Sequence, residues 1–539
     1  MKKVKIYGSG ESFEVEEELS LLDGLLNQGY FVDNSCNGMG TCGKCLVKIR
    51  SGNPNPISPS EQKHIKKADL DDGKRLSCYI RDWDEIEVEL IEKEREGKIL
   101  TEGYMPDFKR DYREGYGICL DIGTTTLALS LVDLKTGEIL ADASMVNTQK
   151  NYGLDVLTRI SYANENPDGL EKLQKSIVGA INSMIGLVCK ERSVSPTEIV
   201  SIVVAANTTM DHFLLGVDPS GLGRYPYKPA FTDGKKLKAS EIGIEAGEDT
   251  VLYTLPHVSA FIGSDVVCGV YVFSKNEEIK DKNILFIDIG TNGEIVLSKK
   301  GELYGCSCAA GPALEGMNIS CGMRAASGAI EDVFITREGI KLKVIDDTYP
   351  VGICGSGILA LVKELLRTGT INKNGALVKK EDLLPYDYRR QLIKAEGKAR
   401  EFIIGRHRNI YISQADIRQV QLAKGAILSG FVALVNAADL TFEDIDLVYV
   451  AGQFGSYLKE EFLVGTGILP KAFYDKIEYL GNSSKTGAYM ALMSDQVKED
   501  LEDLAKKVSY IELASTENYE RIFIDSLAYP DFKDGEIVD

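Results

Sequence analysis

Apolar and polar positions alternate with period two at the start of the chain. KVKIY (3–7) and residues 12–16 alternate in this way around Gly8-Ser9-Gly10, which predicts a β-hairpin. LSLLDGLLNQGY then carries an apolar stripe and predicts a short amphipathic helix. LVKIR, RLSCYI and IEVEL predict strands, residues 60–70 a helix, and SGNPNPISPSE a turn-rich loop. The sum is a small, mixed, β-rich domain over residues 1–92. EKEREGKILTEGYMPDFKRDYREGYG is charged and has no period, so residues 93–116 are expected to form a mobile linker.

The texture changes at Gly117. GICLDIGTTTLALSLVDLKTGEIL reads as strand, tight turn, strand and a Gly-Glu turn, and NILFIDIGTNGEIVLSKKGELY repeats the form. Asp121 and Asp288 stand 167 residues apart in the two copies. Repetition at this distance predicts two related halves, residues 117–282 and 283–539. Helical and strand patterns alternate within both, as in LEKLQKSIVGAINSMIGLVCKE, SIVVAA and QLAKGAILSGFVALVNAA, so the halves should be α/β.

Length agrees with several domains, since 539 residues exceed one core and domains run to about 100–200 residues. The formal net charge of −19 argues against a nucleic-acid surface, which needs a basic patch. No uninterrupted apolar run reaches the ~18 residues of a membrane span, and MKKVKIYGSGESFEVEEE lacks the apolar stretch of a secretory signal. A cytoplasmic protein is expected.

Four of the eleven cysteines are tightly placed. Five residues separate Cys36 from Cys42, two separate Cys42 from Cys45, and Cys78 follows after thirty-two more. Four thiolates suit a [2Fe–2S] cluster, and three lie on one loop where Gly38, Gly40 and Gly43 let backbone N–H groups turn inward. A Cys₄ zinc site would usually pair two Cys-x₂-Cys knuckles, and only one is present. The other seven cysteines (119, 189, 268, 306, 308, 321 and 354) are scattered and read as small core residues. The four histidines have no metal-ligand spacing, and His212 and His257 are expected to play structural roles.

The two Asp-Ile-Gly-Thr turns carry the second candidate chemistry. Gly123 lets backbone approach a phosphate, and the hydroxyls of Thr124, Thr125 and Thr126 can donate to it. Asp121, at a strand end, can hold Mg²⁺ through water. Asp288, Gly290, Thr291, Asn292 and Gly293 repeat the arrangement. Glu294 is a candidate to orient water or merely a strand residue. Two such turns facing across a cleft would clamp a triphosphate. No GxxxxGK[ST] occurs, and these turns lead to a strand rather than a helix, which excludes a P-loop.

The pair resembles the phosphate motifs of the actin, Hsp70 and sugar-kinase superfamily. VVAANTTMDHFLLG, with Asn207 and Thr208, resembles that superfamily's first connecting segment. LVYVAGQFG, with Gly452, Gln453 and Gly455, resembles its adenosine motif, and LGNSSKTGAYMAL its second connecting segment. GICGSG, with Gly355, would suit a helix N-terminus near an anion. The first domain resembles adrenodoxin-like ferredoxins in its cysteine spacing and in Gly73, Arg75 and Leu76. The resemblance implies a β-grasp (α+β) [2Fe–2S] domain followed by a duplicated α/β, actin-like (RNase H-like) ATPase.

The combination resembles, over the whole chain, the reductive activators of corrinoid proteins. CAAGPALEGMNISCGMRAASGAI (308–330) also looks characteristic of them, without a physical reason visible in the sequence. Membership implies ATP- and Mg²⁺-dependent reduction of Co(II) to Co(I) on a corrinoid protein, with Asp121, Asp288 and Glu294 catalytic. It implies a low-potential donor such as ferredoxin or flavodoxin, and is compatible with a homodimer. A radical-dehydratase activator would need a [4Fe–4S] cluster between subunits, which the cysteine spacing opposes. A small-molecule kinase with a redox domain would need a substrate pocket and a general base.

Overall fold

A computed structural model of the chain describes residues 2–538 except 9, 29, 31, 33–42, 44, 66, 92–103, 397–398, 406–409, 453–457 and 534. Two compact units emerge, residues 1–96 and 97–539.

The first unit is a five-stranded sheet built from β1 (Lys2–Ile6), β2 (Ser12–Val15), β3 (Leu46–Ser51), β4 (Lys74–Leu76) and β5 (Glu85–Leu90). The order is β2-β1-β5-β3-β4, with β1 and β5 parallel and the other pairs antiparallel. The Leu21–Asn27 helix buries Leu21, Leu22 and Leu25 against Val4, Val47 and Val88. This is the β-grasp arrangement the ferredoxin resemblance implies. Two local expectations change. The helix over 60–70 is two short helices, Pro59–His64 and Lys67–Asp71. The strand RLSCYI ends at Leu76, and Ser77–Tyr79 curl into a 3₁₀ turn that carries Cys78. A buried pair fixes that corner: Arg75 Nε and Nη2 donate to the two Glu61 oxygens at 2.8 and 3.0 Å.

The second unit contains two sheets of like topology. The first comprises β6 (Tyr116–Ile122), β7 (Thr126–Asp133), β8 (Glu138–Val146), β9 (Ile199–Ala206), β10 (Lys235–Lys238) and β11 (Val251–Thr254). The second comprises β12 (Asn283–Ile289), β13 (Gly293–Lys299), β14 (Glu302–Cys308), β15 (Leu447–Ala451), β16 (Ile477–Gly481) and β17 (Val508–Tyr510). Their orders are β10-β11-β9-β6-β7-β8 and β16-β15-β12-β13-β14-β17. Each has a three-stranded antiparallel meander whose first strand also pairs in parallel with a strand reached by a crossover. The repeated Asp-Ile-Gly-Thr pattern is therefore a repeated fold.

Strand alternation sets what faces the space between the sheets. On β6, Ile118, Leu120 and Ile122 pack outward beneath the Gly169–Arg192 helix, so Cys119 and Asp121 point inward. On β12, Leu285, Ile287 and Ile289 pack outward beneath the Gln414–Ala437 helix, so Phe286 and Asp288 point inward. On β13, Glu294 shares the inner face with Val296. The Gln414–Ala437 helix is long and apolar enough to span a membrane by composition, although the linear sequence suggested no such run. It lies mostly buried in the second half's core.

Two helices, Ser264–Ser274 and Ser483–Met493, fill the space between the sheets. They cross at Cys268 and Gly487, where a Cβ on Gly487 would strike the Cys268 side chain. These are equivalent positions, five residues after the N-caps Gly263 and Asn482.

The linker expected over 93–116 is partly bound. Tyr104 N donates to Leu480 O at 3.2 Å and Asp111 N to Met493 O at 2.7 Å, while Phe108 packs edge-on to Tyr489. Its aromatic residues supply the adhesion that its charge pattern hides. Tyr116 already opens β6. Residues 92–103 lie outside the described residues.

Candidate nucleotide cleft and cluster site

The first unit brings two of the four predicted cluster cysteines together. Leu46 on β3 registers with Leu76 on β4, and Ser77 N and Oγ both donate to Cys45 O, at 2.8 and 3.0 Å. Cys45 and Cys78 then converge with 3.2 Å between sulfurs, close but not bonded. The Cys78 contact, against the opposing effect of burial, lowers the Cys45 thiol to about 7, so a thiolate is within easy reach at neutral pH. That donor chemistry fits an iron–sulfur cluster. Gly43 has φ +66°, and a side chain there would meet His64. Cys36, Cys42, Gly38 and Gly40 lie outside the described residues.

In the second unit the two Asp-Gly-Thr turns meet. Gly123 N donates to Thr126 O and Gly290 N to Asn292 O, both at 2.9 Å, closing each turn tightly. Thr125 Oγ1 lies 3.4 Å from Thr291 Oγ1, so hydroxyls of opposite halves touch. The first turn is gripped from behind. Asn147 Nδ2 donates to Gly123 O at 2.9 Å, and the fully buried Arg159 donates through Nη2 to Thr124 O at 2.7 Å. Burial lowers the Arg159 guanidinium to about 10.

The second half also reaches across to the first. Asn482 and Ser484, at the start of the second half's connecting helix, donate to Asp121 at 3.0 and 2.7 Å. Gly452, at φ +89°, lies so close that a Cβ would strike the Asp288 carboxylate. Glu315 accepts from Thr291 Oγ1 at 2.8 Å. Lys485 donates to Asp142 at 2.7 Å.

The cleft is strongly acidic. Burial, reinforced by Asp265, Asp121 and Glu315, pushes Asp288 up to about 8. Burial, opposed by the Val266 amide and reinforced by Asp121, raises Asp265 to about 6. Asp121 and Glu315 are raised by burial as well, and Glu294 strongly so. Inward carboxylates at this density, beside hydroxyl-bearing glycine turns, suit a phosphate chain carrying a divalent cation. Among the described residues no three His, Cys, Asp or Glu side chains converge as direct metal ligands.

Comparison with known proteins resolves what these two sites belong to. Residues 4–81 match the 2Fe-2S iron-sulfur cluster binding domain, residues 116–277 the RACo middle region, and residues 282–537 the C-terminal domain of RACo, the ASKHA domain. The corrinoid activation enzyme RamQ of Eubacterium limosum is 32% identical over 422 residues, 77% of this chain and 70% of that protein. The [Co(II) methylated amine-specific corrinoid protein] reductase of Methanosarcina barkeri is 25% identical over 77% of both chains. A solved structure, a reductive activator for corrinoid, iron-sulfur protein, superposes with a TM-score of 0.69 at 30% identity, covering 98% of this chain and 99% of that one. The chain belongs to the reductive activators of corrinoid proteins.

Within this activator the predicted site residues divide into three groups. Asp121, Gly123, Thr124, Thr125, Asp288, Gly290 and Thr291 gather at the meeting of the turns, with Asn292 beside Glu294 and Thr126 opening β7. Other residues are spent on structure. Thr208 is fully buried and donates to Ser259 O at 2.8 Å, and Asn207 caps its helix by accepting from Thr209 N. Gly293 packs on Cys308 and Ile427 inside the sheet. Gly355 does open a helix, Gly355–Arg367, but the next glycine, Gly357, presses on the Ile330 carbonyl, so this glycine run serves close packing. Gln453 and Gly455 lie outside the described residues.

His212 and His257 are structural, as expected. His257 accepts from Ser264 N at Nδ1 and so donates from Nε2 to Asp211, at 2.8 Å. His212 accepts from Ala230 N and donates to Thr208 O. Among the described residues the seven scattered cysteines form no disulfide, and all are buried except the half-buried Cys321.

Sequence reading missed Asp265, Glu315, Asn482 and Ser484. Helix register offered a signal for two of them: Asp265 and Ser484 both stand two residues after the N-cap of an inter-sheet helix.

Proposed function

We propose that this chain returns a corrinoid protein from inactive Co(II) to Co(I) by one-electron reduction, driven by ATP and Mg²⁺ in the cleft between its two halves. The observation that carries the ATP part is the contact of Thr125 with Thr291, with Asp121 and Asp288 on facing strand ends. Family membership supports the corrinoid partner. Cys36, Cys42, Cys45 and Cys78 would hold the cluster. When bound, it supplies one electron at a low potential, about −400 mV for plant-type centres.

Co(I) lies lower still, and for one electron each 59 mV of shortfall costs about tenfold. Closure of the halves on ATP can offset this if it favours a corrinoid-protein state that is easier to reduce. Asp121, fixed by Asn482 and Ser484, is suited to orient a water of the Mg²⁺ shell. Asp288 is suited to the same task on the other side, where the cation would relieve its repulsion by Asp265 and Glu315. Glu294, registered with Asp288 on the neighbouring strand, is the water-orienting candidate. The activator is read as cytoplasmic and served by a ferredoxin or flavodoxin, and this reading is compatible with a homodimer.

The test uses full-length protein with reconstituted cluster, a low-potential reductant and a panel of Co(II) corrinoid proteins. A Co(I) spectrum should develop with one of them only when MgATP is present. Equal Co(I) without ATP would remove the coupling.

A further inference from the structure

Glu315 sits in a segment, 308–330, whose distinctive residues have no explanation in the sequence. Its carboxylate accepts from Thr291 Oγ1 at 2.8 Å, and the Thr125 hydroxyl also hydrogen-bonds it. These are the hydroxyls of the two phosphate-type turns, one from each half. A carboxylate thus holds the donors that a nucleotide's terminal phosphates need.

We propose that Glu315 is an internal counter-anion of the cleft, bridging the two turns and competing with the terminal phosphates of ATP for their hydroxyls. The proposal rests on the reading of the cleft as an ATP site. Both ligands are anions, and both need the same donors, so they exclude each other. Phosphate arrival transfers the two O–H donations from carboxylate to phosphate, and Glu315 must withdraw.

The chain around Glu315 provides for that movement. It ends a short 3₁₀ turn, Pro312–Glu315, flanked by Gly311 at φ +73° and Gly316 at φ +83°. Gly311 has open space where a side chain would stand. Arg324, whose charge already acts on Glu315, offers a partner for the displaced carboxylate. The following residues fold tightly, with Gly322 packed on the Gly316 carbonyl. Ser320 then donates through N and Oγ to Asp416 at 2.9 and 3.1 Å, in the first turn of the Gln414–Ala437 helix. Glu315 therefore joins phosphate occupancy to the outer layer of the second half.

Charge removal gives the test its sign. In the full-length protein, Glu315→Gln keeps size and an acceptor for Thr291 but deletes the competing anion. Calorimetric titration with the magnesium complex of adenylyl-imidodiphosphate should show about tenfold tighter binding, the scale of one nearby like charge in a partly wet site. ADP should gain less, and adenosine nothing. Glu315→Asp, which keeps the charge, should gain far less than the amide. Glu315→Ala should also tighten the triphosphate, and serves if the amide variant does not fold. Unchanged or weaker triphosphate binding in both uncharged variants, with normal wild-type binding, overturns the proposal alone. An equal gain for adenosine overturns it too. Failure of wild type to bind any nucleotide overturns the ATP reading itself, and this proposal with it.

Discussion

Asp121 and Asp288 occupy the same position in two copies of one sheet, yet they live in different chemistry. Asp121 registers with Ala128 on the next strand and accepts two hydrogen bonds from the opposite half. Asp288 registers with Glu294 and faces Asp265 and Glu315. The connecting helices explain the difference. Ser484 stands two residues after one N-cap and donates to Asp121, whereas Asp265 stands two residues after the other and repels Asp288. Duplication supplied two equal platforms, and substitution made one a carboxylate held by donors and the other a carboxyl crowded by like charges. A cation entering between them is stabilised chiefly by the second half. The cleft's acid cluster is thus a store of repulsion that Mg²⁺ would relieve.

Hydrolysis gives the largest expected contrast. Asp288→Asn should cut ATP hydrolysis by about 10²–10³-fold, the usual cost of losing a preorganised electrostatic group. Asp121→Asn should cost only about tenfold, because asparagine retains an oxygen for Ser484 or Asn482. Phosphate release measured on both variants decides the matter. Equal losses would break the asymmetry.

Backbone crowding sharpens the same comparison at a smaller scale. Asp121 pairs with Ala205 and Asp288 with Ala451, so Ala206 and Gly452 are equivalent. The first half carries a Cβ at this position; in the second, a Cβ would strike Asp288, and φ is +89°. Gly452→Ala should cost about 2–4 kcal/mol, combining left-handed strain with the clash. Ala206→Gly should cost about 1 kcal/mol or less. Urea unfolding of each variant measures both, and similar costs would show that the halves are crowded alike.

Much of this architecture is legible in the sequence because it depends on local pattern. The two Asp-Ile-Gly-Thr hairpins are read from apolar runs broken by a glycine turn, and the structure closes both turns with 2.9 Å bonds. Cys45 and Cys78 are read from spacing, and their strands bring them together. What escapes the sequence is contact between distant segments. Ser484 lies 363 residues from Asp121, and nothing in SSKTG says which carboxylate it will meet. Glu315 fails for the same reason, since its partners come from two different turns. Thr208 misleads in the opposite direction: its motif resembles a nucleotide contact, while its hydroxyl is buried on Ser259. The aromatic residues of 104–116 look like linker because adhesion to a remote helix has no period.

The smallest expected effect is on stability, and it tests the claim that Asp288 is crowded by like charges. Its carboxyl is raised from 3.8 to about 8, chiefly by burial and then by Asp265. Between those values the folded chain holds a proton that the unfolded chain has released. Stability from this group is therefore complete below about pH 4, falls as pH rises through the window, and is lost beyond about pH 8. Asp288→Asn removes the titration. It should raise the melting temperature at pH 8 and leave it unchanged at pH 4. Asp288 is buried only in part and keeps some contact with water in the cleft, so the gain should be about 1 kcal/mol, well short of what full burial would give. Asp121→Asn should give no gain, because its lost charge is offset by weakened bonds from Asn482 and Ser484. Calorimetric melts of both variants across this range supply the check. A gain at pH 8 that persists at pH 4 would assign the effect to packing rather than charge, and the two aspartates would then differ only in their neighbours' shape.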